Sequence, residues 1–524
     1  MGRKLIAHPL YAIVYVLFVF FVAIPIVYTI ATTFTDGSFL KNLHLLNVEA
    51  FYLLLKSIGL SALIAFLSTV LGVLLGFLLY KTTTKFSSFF KIVLLVPLII
   101  SPYILAVAWK DFFFIAFDKT SFITSYIGVL FVLTTIFTPL AMLIIGSALT
   151  TINAQLEDAG RMITNTKSTF FNITLPLIKP ALISSFTLIF IFSISEFSVP
   201  AFFGVDVFTT EIFTQFSAFY NHTLAILQAT LLILICVLLL LSEKKYLADA
   251  PFFTIGNKGA SHTFYNLKNS NYLSQLFLFG WLFISVIFPF LTLLTQSFKG
   301  GWANFTKAFT LLLPTFGNSI AMAFTGALLI VFIGFTVAYY THRHTKSPLA
   351  KSFNWLMLIV FAIPSTVFGI SLIKFYNQPA FTFIYASYAI ILIGYVGKYS
   401  FISTKLIGNA IKQIPNSLEE AAQMEGISFS VRLRKIILPL LLPALFVSFV
   451  VSFIFSLGEL GTTIMVYPPG TEIMPIKVFT IMANAPQAIT SSMTLLVFSV
   501  TLLLITGFYF IVKPLAKKYH FTND

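Results

Sequence analysis

Leu156-Glu157-Asp158-Ala159-Gly160-Arg161-Met162 returns 262 residues later as Leu418-Glu419-Glu420-Ala421-Ala422-Gln423-Met424. The same offset carries Ser57 onto Ser319, Gly72 onto Gly334 and Pro102 onto Pro364. Beyond it the offset becomes 263: Leu175-Pro176-Leu177 matches Leu438-Pro439-Leu440, Pro180 matches Pro443, and Glu196 matches Glu459. One residue inserted between 424 and 438 explains the change. A register held this long marks an internal duplication. The chain reads as two halves, 1–241 and 274–524, joined by a linker over 242–273 that is rich in Lys, Asn and Ser.

Composition sets the solvent of those halves. Of 524 residues 58% are hydrophobic and only 9% charged, with a mean hydropathy of +0.97. Soluble domains carry about 25% charged residues, so this is an all-α integral membrane chain. Apolar runs of spanning length, about 20 residues, lie near 10–34, 57–80, 88–109, 122–150, 177–203 and 224–241. A second set lies near 274–296, 315–341, 353–376, 380–405, 438–458 and 489–512. About twelve helices in two sets of six place both halves in the same orientation. They are then related by a pseudo-twofold axis along the membrane normal, with a pathway between them. With the N-terminus inside, 24 of the 32 Lys and Arg residues fall on inner segments, among them Lys81, Arg161, Arg343, Lys398 and Lys405. That bias puts both termini in the cytoplasm. The net charge of +15 therefore reads as topology anchoring and contact with anionic lipid rather than nucleic-acid binding. Cys236, the single cysteine, lies in an apolar run and reads as a packing residue.

The duplicated stretch sits between the fourth and fifth predicted helices of each half. In the second half Ser417 and Glu420 have capping-box spacing and predict the start of a short helix. Gly426 is placed to end it with a positive φ, and Pro439 and Pro443 to break or kink the chain as it re-enters the membrane. This loop resembles the coupling motif of binding-protein-dependent ABC importer permeases: Glu-Ala-Ala, a glycine after three residues, then Leu-Pro-Leu and a second proline. The resemblance implies the type I importer permease fold and a short helix seated in a groove of a separate ATPase. Small Ala421 and Ala422 would allow close approach, and the acidic turn, Glu419 and Glu420, would orient the fit. In the first copy Glu157 and Asp158-Ala159-Gly160 stand in for that pattern. Thr164 occupies the position of Gly426, and Asp158 precedes Pro176 by 18 residues, against 19 from Glu420 to Pro439. Asn165 is the residue there able to take a left-handed turn.

Fused two-half chains are typical of ferric-iron permeases and of some thiamine and aminoethylphosphonate permeases. Glu196-Phe197-Ser198-Val199-Pro200 through Gly204, with Thr209-Thr210-Glu211-Ile212, looks like the iron type, as does Glu459-Leu460-Gly461-Thr462-Thr463 with Tyr467-Pro468-Pro469-Gly470. The resemblance implies ferric iron as substrate, with thiamine, aminoethylphosphonate or a polyamine as alternatives. It also implies a soluble binding protein outside, a homodimeric ATPase inside, and transport by alternating access. ATP and Mg belong to the ATPase: no phosphate-binding Gly-x-x-x-x-Gly-Lys-Ser/Thr loop is present in this sequence, which predicts a chain that is not an enzyme and holds no cofactor. No His/Cys/carboxylate cluster has metal-ligand spacing, and His342 and His344 beside Arg343 read as a helix end.

Glu196 and Glu459 each lie 16 residues beyond the second proline of their loop, about 24 Å along a helix. An acid at that depth is a candidate pathway or gate residue. Its plain alternative is a hydrogen-bond partner at a helix end. An ion-coupled secondary transporter also has twelve helices in two parallel halves. The facilitator type, however, carries a Gly…Asp-Arg…Gly-Arg-Arg run between its second and third helices, and Tyr80-Lys81-Thr82-Thr83-Thr84-Lys85-Phe86 does not match it.

Overall fold

The computed structural model describes residues 9–35, 48–242, 265, 271–299, 301–345, 347–482 and 484–518. These residues are overwhelmingly helical, and the single bridge between Thr82 and Tyr265 is the β pairing among them. Helices dominate because a backbone in hydrocarbon must satisfy its own hydrogen bonds within the segment.

In chain order the first half comprises α1 (Pro9–Thr32), α2 (Val48–Tyr80), α3 (Ser87–Ile99), α4 (Pro102–Phe117), α5 (Tyr126–Thr151), the short α6 (Ala154–Ile163), α7 (Lys179–Ser195), α8 (Ser198–Phe203), α9 (Phe208–Ser217) and α10 (His222–Ser242). The second half repeats it with α11 (Tyr272–Ser297), α12 (Trp302–Arg343), α13 (Pro348–Ala362), α14 (Ser365–Tyr376), α15 (Ala389–Ile411), the short α16 (Asn416–Met424), α17 (Phe429–Gly458), α18 (Met474–Met482) and α19 (Gln487–Phe508). Nine helices among the described residues are long and apolar enough to span, or up to twelve if each sharply bent pair counts as one span.

The bends are the main departure from the expected straight spans. The runs predicted at 88–109 and 353–376 are each broken, α3 from α4 by 93° and α13 from α14 by 107°. The breaks fall at Ser101-Pro102 and Ile363-Pro364, where proline denies the preceding residue a helical conformation and removes an amide donor. The run predicted at 177–203 likewise stops at Ser195, because Glu196 is extended. Pro439 and Pro443, expected to break the chain, do not. Pro439 sits in the first turn after a π-helical stretch (Leu433–Ile437), and Pro443 lies within the continuing helix. In the first half the chain does bend, by 65°, between Lys167–Leu177 and α7.

The repeat is written into helix contacts. A Cβ on Gly72 would lie 2.3 Å from the Cβ of Ala141, and one on Gly334 would lie 2.2 Å from Oγ of Ser403. The glycine recurs at the 262 offset, and its partner position does too, as Ala141 and Ser403. Each glycine lets α2 meet α5, or α12 meet α15, at backbone distance. The serine pair is equally strict. Ser57 Oγ accepts from the amide of Phe208 at 2.8 Å, and Ser319 Oγ accepts from the amide of Met474 at 2.7 Å. Each hydroxyl caps the first helical amide of α9 or α18.

The halves interleave. Tyr11 of α1 stacks on Tyr340 with ring centroids 3.8 Å apart and donates its hydroxyl to Leu349 O at 3.3 Å. Tyr376 of α14 donates to Phe21 O at 3.0 Å. In return Phe288 of α11 packs on Trp109 and Phe112 of α4. Each half thus lends its first helix to the other. The sequence ranges 1–241 and 274–524 are not two separately packed bodies.

Candidate functional site: two short helices and a cavity between halves

The two short helices α6 and α16 are amphipathic, and their burial divides the repeated motif in two. Gly160 and Ala422 face inward, while Asp158, Ala159, Glu420 and Ala421 are exposed. The close approach expected of small residues is therefore made by the second of each pair, and made toward the permease itself. A Cβ on Gly160 would stand 2.5 Å from Cδ1 of Ile173, which explains glycine where the second half has alanine. The outward faces carry apolar side chains at matched positions. Leu156 and Leu418 are about half exposed; Met162 and Met424 are 88% and 89% exposed.

The acids preceding these exposed residues do not point outward as expected. Glu157 is fully buried, held by Lys81 at 2.5 Å with side chains 2% and 0% exposed. Thr174 Oγ1 donates to it at 2.9 Å, and the hydroxyl of Tyr265, from the linker, at 3.3 Å. Burial holds that hydroxyl above the ordinary tyrosine value, so it is a protonated donor at neutral pH. In the second half Glu419 pairs with Arg343 at 2.5 Å and accepts from Tyr339 Oη at 2.6 Å. Lys81 and Arg343, like Glu157 and Glu419, are 262 apart. The cations expected as topology anchors instead each tie a short helix to the end of a long one, α6 to α2 and α16 to α12.

The ends of the two helices differ. Asn153 caps α6, accepting from Gln155 N at 3.0 Å. The Ser417–Glu420 capping box is not formed, because α16 begins after Pro415 with no side-chain cap. Gly426 closes α16 with φ +72°, as expected. Thr164 is extended, and Asn165 does not take the left-handed turn: the described non-glycine residues with positive φ are Phe86, Asp118 and Tyr220. Instead, Asn165 Oδ1 accepts from Ser168 N at 2.8 Å and opens the next helical turn. Beyond it Pro176 precedes the bend, and Pro180 stands in the first turn of α7.

At the far ends of α7 and α17, Glu196 and Glu459 adopt the same extended conformation (φ −72°, ψ 126° and φ −70°, ψ 123°). Glu196 Oε1 accepts from the amides of Ser198 (2.8 Å) and Val199 (3.4 Å) and from the Ser198 hydroxyl. Glu459 accepts from the amides of Thr462 (2.7 Å) and Thr463 (3.0 Å). Both carboxylates are thus caps for the helical turns that follow. Both also line one cavity of about 170 Å³ between the halves. Its wall includes Ser101, whose hydroxyl donates to Gly458 O across the halves at 2.9 Å.

Lys398 and Lys405 line the same cavity. Lys398 lies 13 residues before the end of α15, about 20 Å along the helix, and is buried. Its ammonium donates to Phe361 O (3.1 Å) and Ile363 O (2.7 Å), the carbonyls freed by the break after α13. It is therefore not the surface anchor that the count of inner charges assumed. Asp111, which sequence reading passed over, is buried and bonded to the hydroxyl of Ser491 across the halves. Intramembrane charge was the available signal for both. Among the described residues no group of three His, Cys, Asp or Glu is placed to hold a metal.

Two six-helix repeats, paired short helices at matched loops and a cavity between the halves define a transport permease. The chain belongs to the family of binding-protein-dependent transport system inner membrane components, whose profile matches twice, over residues 68–248 and 330–519. Its relatives include a ferric transport system permease protein of Actinobacillus pleuropneumoniae, 24% identical over 84% of this chain and 68% of that protein. An Fe(3+)-transport system permease protein of Haemophilus influenzae is 24% identical over 86% of each chain. A Salmonella paratyphi A protein whose name assigns it to a 2-aminoethylphosphonate transport system is 27% identical, over 38% of this chain and 75% of its own length. The chain is thus a multi-pass inner-membrane permease of the ABC importer class. Membership implies a substrate-binding protein and an ATPase as partners.

Proposed function

We propose that this chain forms the complete translocation pathway of an importer for ferric iron, driven by a separate homodimeric ATPase. The observation that carries the proposal is the pair of short helices α6 and α16, which expose Leu156, Met162, Leu418 and Met424 at matched positions. Exposed apolar side chains on a short helix fit a groove in a partner. Two such helices on one chain fit a twofold ATPase. The positive-inside bias places them, the linker and both termini in the cytoplasm. A soluble binding protein then delivers substrate to the opposite face.

Transport follows alternating access. ATP-driven closure of the ATPase pair moves α6 and α16 together, and each movement passes into the membrane through the ion pair at its root, Lys81–Glu157 or Arg343–Glu419. The cavity lined by Glu196, Glu459 and Lys398 is the pathway, and the carboxylate-capped turns after α7 and α17 gate its outer end. ATP and Mg are bound by the ATPase, and this chain needs no cofactor. Iron is favoured by relatives that match along most of the chain, while the phosphonate-system relatives match 38% of it. Thiamine and polyamines remain alternatives within the same machinery. Family membership favours ATP-driven over ion-coupled transport.

The test is uptake of radiolabelled ferric iron by the source cells, comparing the intact gene, a deletion, and Glu420→Ala with Gly426→Asp. Loss of uptake in both altered strains, with the variant still in the membrane, is expected. Unchanged iron uptake in the deletion removes iron as substrate and directs the same strains to thiamine and phosphonates.

A further inference from the structure

The repeat predicts a tyrosine hydroxyl on each of the paired acids, and one half lacks it. In the second half Tyr339 of α12 donates to Glu419 at 2.6 Å. The residue 262 positions earlier is Phe77, which has no hydroxyl to offer Glu157. Thr174 supplies one hydroxyl to Glu157, and the tyrosine donor arrives from the linker. Tyr265 is 2% exposed, packs its ring on Phe77 at 5.2 Å and reaches Glu157 with its hydroxyl at 3.3 Å. Its backbone is pinned at the end of α2, where its amide donates to Lys81 O at 2.7 Å and its carbonyl accepts from Thr83 N at 3.4 Å. The guanidinium of Arg161, on α6 itself, lies over the ring at 3.6 Å. Tyr265 thus touches α2 and α6 at once, and an aromatic ring under a guanidinium adds attraction to the hydrogen bond.

We infer that the segment between the halves supplies Tyr265 as a positioning residue that completes the first coupling site. It replaces from outside the repeat the hydroxyl that Phe77 cannot give, and locks α6 to α2 so that motion of the ATPase is passed on rather than absorbed. The fusion of the two halves then does more than join them: the join fixes the first coupling helix. This rests on the reading of α6 and α16 as the ATPase contacts, and the test separates the two.

The complex of this chain with its native ATPase is purified with Tyr265→Phe, Tyr265→Ala, and Tyr265→Phe combined with Phe77→Tyr. Hydrogen exchange of 154–163 and 416–424 is compared with ATP hydrolysed per ferric iron taken up by cells carrying each variant. Tyr265→Phe keeps the ring and removes only the hydroxyl. It is expected to raise exchange in α6 by about tenfold, the factor carried by one hydrogen bond to a charged group, and to leave α16 unchanged. ATP consumed per iron rises with it, more so in Tyr265→Ala, and Phe77→Tyr restores both readouts. The inference is overturned if α6 exchange is unaltered, if α6 and α16 loosen equally, or if Phe77→Tyr restores nothing. Intact uptake in Glu420→Ala with Gly426→Asp would instead remove the coupling reading itself, whatever the exchange data show.

Discussion

The corners at α6 and α16 start from one duplicated stretch and reach the same connection by different means. In the second, one arginine and one tyrosine of α12 hold Glu419, and the pair keeps some solvent contact, with side chains 12% and 13% exposed. In the first, lysine replaces arginine, Thr174 and Tyr265 add donors, and the ion pair is shut away from water. Lysine is a point charge with three donors, whereas arginine presents a planar fork. A buried lysine pair needs the acid's remaining lone pairs satisfied by others, and that is what Thr174 and Tyr265 do. The constant element is the acid-to-cation tie from short helix to long helix. Everything around it is free to differ.

The largest contrast to break is in stability. Lys81→Met leaves a fully buried carboxylate unpaired and is expected to destabilise the chain by ~3–5 kcal/mol, read as thermal unfolding of the detergent-purified protein. Arg343→Met, at the wetter corner and with Tyr339 still donating, is expected to cost ~1–3 kcal/mol. A reversed order would show that burial does not distinguish the corners. The helix starts offer a smaller contrast. Asn153→Ala removes a formed cap and should cost about 1 kcal/mol, whereas Ser417→Ala removes none and should stay within about 0.5 kcal/mol of the parent, as surface changes do. Gly160→Ala belongs to the same small range as the cap loss. The new methyl meets the end of the flexible Ile173 side chain and, at 3.0 Å, the Cγ2 of Thr169, so repacking should hold the loss to about 1 kcal/mol.

The corners also show what a single sequence can and cannot reveal. The duplication, the membrane class and the position of the short helices were legible because they rest on period, composition and a repeated register. The breaks after α3 and α13 were signalled by Pro102 and Pro364, and the 262 offset had already paired them. Missed were relations that need two distant segments at once. Lys81 and Arg343 looked like charges at helix ends because nothing local shows an acid 76 residues further on. Lys398 looked like an inner anchor because the carbonyls that hold it come from another helix's break. Ser417 and Glu420 had the spacing of a capping box, yet Pro415 starts the helix and the box stays unformed. For Glu196 and Glu459 the plain alternative of helix-end partners matches the hydrogen bonds made, and the cavity they share keeps the pathway reading alive.

The central claim is that α6 and α16 are where the ATPase seats. The most direct measurement is the amount of ATPase, identified by peptide mass spectrometry, that remains with the chain purified from membranes when Met162→Asp and Met424→Asp are combined. Both side chains are almost wholly exposed, so the substitutions should leave unfolding unchanged. The account predicts that the ATPase is lost while the permease stays folded in the membrane. ATPase retained at the parent level would contradict it.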